Sequence, residues 1–151
     1  MKKLIFILIL VVSSFSTGYA QETVSEDVVK AAFIYHFIGF TQWQDNLPQY
    51  DVCIPDDTEL RNTAWQTIEG KSVNGRTINV VNRYDHCHIL VSENVPPQEP
   101  VFTIGSLANG ALLEFRIIDN KLRFAVNMGK LRNSKLRISS QLLKLAILEN
   151  V

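Results

Sequence analysis

The first twenty residues, MKKLIFILILVVSSFSTGYA, read as a secretory leader, and that reading fixes how much chain is left to fold and where. Two lysines precede an apolar run from Leu4 to Val12, and Gly18 and Ala20 supply the small-residue exit. The run is shorter than the roughly 20 apolar residues that a membrane span needs. Cleavage after Ala20 is therefore expected, a retained anchor being the alternative, and it leaves 131 of the 151 residues. No cysteine sits near the exit to carry a lipid. A remainder of that size suits one domain, 21–151, with one core and roughly two-thirds of its unfolded surface buried. Export predicts a periplasmic protein in a compartment that permits disulfides.

Charge is nearly balanced in total but not along the chain. Without Lys2 and Lys3 there are 13 basic and 15 acidic side chains, a net charge near −2. Gln21 to Phe115 holds 5 basic and 13 acidic residues, whereas Arg116 to Lys144 holds 8 basic residues against Asp119 alone. A basic block of this kind either attracts an anionic partner or faces water and the acidic first part of the chain. An exported chain of this charge lacks the electrostatic footprint of a nucleic-acid binder, so nucleic acid is not expected as a partner.

Periodicity gives a coarse order of elements. Ser25 followed by Glu26 and Asp27 caps a helix over Val28–Ile38, whose AAFIYHFIGF stretch is apolar nearly all round. Tyr50–Ile54 reads as a strand stopped by Pro55, and Asp56, Asp57 and Thr58 open a helix through Leu60, Ala64 and Trp65 to Gly70. Arg76–Val81, His88–Val91 and Val101–Ile104 read as strands, with Pro96, Pro97 and Pro100 forbidding an ordinary helix before the last of them. Ala111–Ile118 and Lys121–Val126 form an antiparallel hairpin near the C-terminus, turned at Asp119-Asn120. Asn127–Ser134 is a short helix or turn. Ser139–Leu148 is expected as a final helix with Leu142, Leu143, Ala146 and Ile147 inward.

The residues that could carry chemistry do not assemble into a catalytic pattern. His86-Cys87-His88 resembles metal-ligand material, but in an extended segment the histidines share one face and Cys87 takes the other. No CxxC or HExxH pattern completes a site, so no metal is expected. Ser139-Ser140 lacks a nucleophile elbow, and GSLANG at Gly105–Gly110 lacks the Lys-Ser/Thr ending of a phosphate loop. Asp56, Asp57 and Glu59 read as helix-start residues rather than an acid/base pair. A non-enzymatic binding or signalling module without cofactor is the reading these residues favour. The two cysteines, Cys53 and Cys87, invite one disulfide across about 33 intervening residues. A redox-responsive bridge and free thiols remain the alternatives.

Three separated stretches carry a resemblance. VKAAFIYHFIGFTQW at Val29–Trp43, HCHILVSE at His86–Glu93 and KLRFAVNMGKLRNSKLRISSQLLKLA at Lys121–Ala146 together resemble the YfiR-like family of exported bacterial proteins. The most specific part is RFAVN, Arg123–Asn127, paired with LRISSQLLKLA, Leu136–Ala146. The resemblance implies an α/β fold, a three-layer sandwich with a mainly parallel central sheet. It also implies a disulfide between Cys53 and Cys87, and a periplasmic regulator that holds down a membrane diguanylate cyclase and is relieved by an outer-membrane partner. Gln44 stands where the family often has proline, and Asn94–Pro100 is shorter than the family's usual helical connection.

The leading expectation is an exported regulator that binds the extracytoplasmic domain of an inner-membrane receptor such as a diguanylate cyclase or kinase. Tyr35, Phe40 and Trp43 are the aromatic candidates for that interface, with Arg132 and Arg137 as charged contacts. The same aromatics could instead be core. The alternative is a periplasmic small-ligand binding protein with an anionic or aromatic ligand near the carboxyl ends of the parallel strands, for which Trp65, Arg123 and Arg137 are the candidates. The sequence leaves the oligomeric state open, a homodimer included.

Overall fold

The computed structural model describes residues 24–43, 47–94 and 102–151. The expected leader, its cleavage site, Gln44 and the prolines from Pro96 to Pro100 lie outside the described residues.

Helix α1, Glu26–Gly39, begins where its capping chemistry dictates: the Ser25 hydroxyl accepts the Val28 N–H at 3.4 Å, and Glu26 and Asp27 sit in the positive first turn. Its inward stripe is Ala31, Ile34, Phe37 and Ile38, all fully buried. Helix α2, Thr58–Thr67, is capped by Asp57, whose carboxylate accepts the Leu60 N–H at 2.8 Å, and it packs on α1 through Leu60, Ala64 and Ile68. The strands are β1 Thr41–Gln42, β2 Gln49–Cys53, β3 Ser72–Val73, β4 Arg76–Val81, β5 Ile89–Val91, β6 Phe102–Ile104, β7 Leu113–Ile118, β8 Lys121–Asn127, β9 Arg137–Ile138 and β10 Ile147–Glu149. Short helices α3, Met128–Asn133, and α4, Ser140–Leu143, lie among the last of these.

Among the described residues, eight strands form one sheet in the order β10-β8-β7-β6-β5-β2-β4-β3, and β1 pairs antiparallel with β9 beside it. Five of the seven pairings in the large sheet are parallel, so the predicted mainly parallel α/β sandwich holds. The antiparallel exceptions are two tight hairpins. Asn74-Gly75 joins β3 to β4 and Asp119-Asn120 joins β7 to β8, with positive φ at both central residues of each turn, as two-residue hairpins require.

The main core lies between one sheet face and the helices. Phe37 stacks on Phe102 with ring centroids 5.6 Å apart and meets Phe124 edge-on at 5.1 Å. Tyr50, Ile78, Ile89, Ile104 and Leu113 complete the sheet side. Cys53 and Cys87 form a disulfide with Cα atoms 5.8 Å apart, packed with Leu90 and Val81 in a second, smaller cluster.

The expected final helix needs correction. Only Ser140–Leu143 is helical, and Ile147–Glu149 is a strand paired parallel to β8. Leu142 is buried, whereas Leu143, Ala146 and Ile147 are half-buried. The β8 edge offers unpaired backbone groups, and pairing them outweighs the helical spacing of the four apolar residues. The segment before β5 is likewise a turn: His86 has a φ of 54°, so His86-Cys87-His88 is not extended throughout.

Candidate functional site

Strand order creates the site. The chain runs from β2 through α2 to β4 on one side of β2, then returns to place β5 on the other side. Where neighbouring parallel strands send their connections in opposite directions, a crevice opens at their carboxyl ends. A cleft of about 630 Å³ lies there. Asp56, Asp57 and Leu60 enter it from the start of α2, and Val91, Ser92 and Glu93 from the end of β5. Ile104, Gly105 and Ser106 come from the end of β6, Glu114 and Phe115 from β7, and Lys30 from α1.

Two interactions hold the cleft in shape. Gly105 lets the β5 and β6 backbones meet: a Cβ built on it would lie 2.1 Å from the Ser92 carbonyl oxygen. The Asp56 carboxylate bridges elements by accepting the Ser92 hydroxyl at 2.6 Å and the Tyr84 hydroxyl. These two hydrogen bonds, Ser92 first, hold the Asp56 carboxyl below the usual carboxylate range. Burial pushes Glu114 upward, but hydrogen bonds from the Arg116 guanidinium and the Leu107 N–H outweigh it and leave the group low. The cleft therefore presents ionised carboxylates above an aliphatic and aromatic floor. Among the described residues, Lys30 is the single basic side chain in its lining.

A shallow groove lies at the other end of α1. Gly39, Phe40, Thr41 and Gln42 form one wall, with Arg137, Ile138 and Ser139 opposite and Asn74 alongside. The β1–β9 pairing makes it, with Thr41 opposite Ile138, Gln42 opposite Arg137, and the Ser139 N–H donating to the Phe40 carbonyl at 2.8 Å. Phe40 is 39% exposed.

The residues singled out in the sequence separate into several places. Phe40 and Arg137 come together in the groove. Tyr35 is half-buried under the Lys71 ammonium, 5.4 Å from its ring. Trp43 packs inward, with ring centroids 5.8 Å from Tyr50 and 6.2 Å from Phe102, and its indole N–H donates to the Ile38 carbonyl at 3.0 Å. The exposed Arg132 donates to Asn150 Oδ1 at 2.6 Å beside β10. The three ligand candidates are not gathered at the carboxyl ends of the strands. Trp65, 64% exposed, lines a different depression with Arg61 and Arg83, Arg137 is in the groove, and Arg123 is exposed on β8 opposite Arg116. None of the three is among the described residues that line the switch-point cleft.

Sequence reasoning passed over Ser92 and Glu93, weighed Gly105 only as the start of a phosphate loop, and took Asp56 only as a helix-start residue. The available signal was positional: Pro-Asp-Asp directly after a strand and Gly-Ser directly after another, both at parallel-strand carboxyl ends.

Fold and cleft together define an open, mainly parallel α/β domain with a binding-type crevice at its switch point. Residues 27–147 match the profile of the YfiR/HmsC-like proteins, and the chain belongs to that family. Membership places it among periplasmic regulators of signalling, a class of regulators rather than enzymes. No curated protein matches the chain.

Proposed function

We propose that this protein is an exported, non-enzymatic signalling regulator that binds the extracytoplasmic domain of an inner-membrane receptor, a diguanylate cyclase or a kinase. The family match supports the regulatory role. The observation that carries the binding surface is the groove built on the β1–β9 pair, whose lining includes both the exposed Phe40 ring and Arg137. Aromatic and arginine side chains dominate the energetics of protein interfaces. Tyr35, beneath Lys71, and Arg132, beside β10, lie outside the groove lining and are proposed as secondary contacts, and Trp43 supports the end of α1 from within. An outer-membrane protein that competes for the same surface would relieve the inhibition.

Affinity capture from the native envelope, with mass spectrometry, tests the reading. Wild-type protein should recover an inner-membrane protein with an extracytoplasmic domain, and the Phe40→Ala/Arg137→Ala double variant should lose it. Equal recovery by a folded double variant would remove the groove from the interface.

A second reading, a periplasmic small-ligand binding protein, is favoured by the switch-point cleft, whose volume lies in the usual range for small-molecule sites.

A further inference from the structure

Resting on that second reading, we infer that the switch-point cleft is a site for a small organic cation, a protonated amine on an apolar body. In folds of this kind the crevice commonly takes an anion, because a helix N-terminus points into it. Here the chain has already filled that position with its own carboxylate: Asp57 accepts the Leu60 N–H at the first turn of α2, and Asp56 stands next to it. An incoming anion would also face Glu93 and Glu114, the latter already paired with Arg116 at 2.7 Å, so among the described lining residues four carboxylates stand against the Lys30 ammonium, with the Arg116 guanidinium compensating one of them.

The floor supplies the apolar half of the recognition. Leu60 and Ile104 are buried, and Val91 and Phe115 half-buried, beneath the carboxylates. The chain's own lysine shows what chemistry the space accepts. The Lys30 ammonium sits 5.9 Å from the centre of the Phe115 ring, while also paired to Glu26 at 2.7 Å. An ammonium over an aromatic face is an arrangement by which organic cations are held. Lys30 thus occupies the place of a ligand cation and, carrying the same charge, competes with it.

The test is a titration of the mature protein with hexylammonium, hexanol and hexanoate, read by calorimetry and by amide shifts at Ser92, Gly105 and Ser106. Hexylammonium should bind saturably and more tightly than the other two. Glu93→Gln should weaken it about three-fold, the effect of one screened charge, and Lys30→Met should tighten it by a similar factor. The gain with Lys30→Met is diagnostic, since a variant that merely disturbs folding does not bind better. Equal or tighter binding of hexanol or hexanoate would overturn the cation chemistry while leaving a ligand site. Binding of none of the three would overturn both the chemistry and the ligand reading.

Discussion

At Gly105 a single hydrogen atom in place of a side chain decides whether two strands can lie side by side. The atom that a methyl group would strike, the Ser92 carbonyl oxygen, belongs to the backbone, and no rotamer change relieves the clash. The surrounding backbone is also fixed, with the Ser92 N–H donating to Ile104 and the Gly105 N–H to Leu113, both at 2.9 Å. Gly105→Ala should therefore destabilise the fold by roughly 1–3 kcal/mol, the cost of overpacking, and an unchanged urea midpoint would refute this. His88 is constrained by a proton rather than a contact. The Asp51 N–H donates to its Nδ1 at 2.8 Å, so the imidazole accepts there and must be neutral at that nitrogen. Desolvation lowers its pKa, against the pull of Asp51 and with help from Arg83. The unfolded chain then takes up the proton first, so this contribution is fully present above about pH 6.5 and is lost as pH falls below it. Unfolding free energies measured from pH 7.5 downward should show a decline that a His88→Gln variant lacks.

Elements with a local cause were legible in the sequence, and elements with a tertiary cause were not. The Ser25 and Asp57 caps start α1 and α2 through side chains within three residues of the groups they satisfy, and the Asp119-Asn120 turn sets the β7–β8 register by itself. By contrast, β10 forms because β8 presents an open edge, and β1 and β9 form because two distant dipeptides meet. Leu142, Leu143, Ala146 and Ile147 fit a helical face as spacing, which is why the segment reads as one long helix. The candidate site divides in the same way. Phe40 and Arg137 were recognisable by residue type, but the cleft is assembled by strand order, which one-dimensional patterns do not encode. The shortened helix has a measurable consequence. Leu142 is 4% exposed within the main core, so Leu142→Ala should cost roughly 2–5 kcal/mol. Leu143→Ala, at a half-buried position, should cost clearly less. Equal losses from the two variants would restore a continuous helix with both residues inward.

At the scale of the whole molecule, α1 connects two surfaces with different chemistry. Lys30 near its start lines the acidic cleft at the strand carboxyl ends, and Gly39 and Phe40 at its end line the groove beside β9. Trp43 follows directly and ties this end of the helix to the sheet through Tyr50, Phe102 and the Ile38 carbonyl. Stability and partner binding should therefore separate between two aromatic residues only three positions apart. Trp43→Ala removes a packed ring and the indole's hydrogen bond to the Ile38 carbonyl, and should lower stability by about 3 kcal/mol, the lower end for aromatic truncation because the ring is half-buried. Phe40→Ala changes an exposed ring and should alter stability by about 0.5 kcal/mol, as surface substitutions usually do. Capture of the membrane partner should show the reverse order under conditions where both variants are folded. Phe40→Ala should abolish it, while Trp43→Phe, which keeps an apolar ring in place, should retain it. If Trp43→Phe loses capture while its unfolding midpoint stays near wild type, the indole itself would be part of the contact surface, and the partner would have to reach past Phe40 toward the end of the sheet.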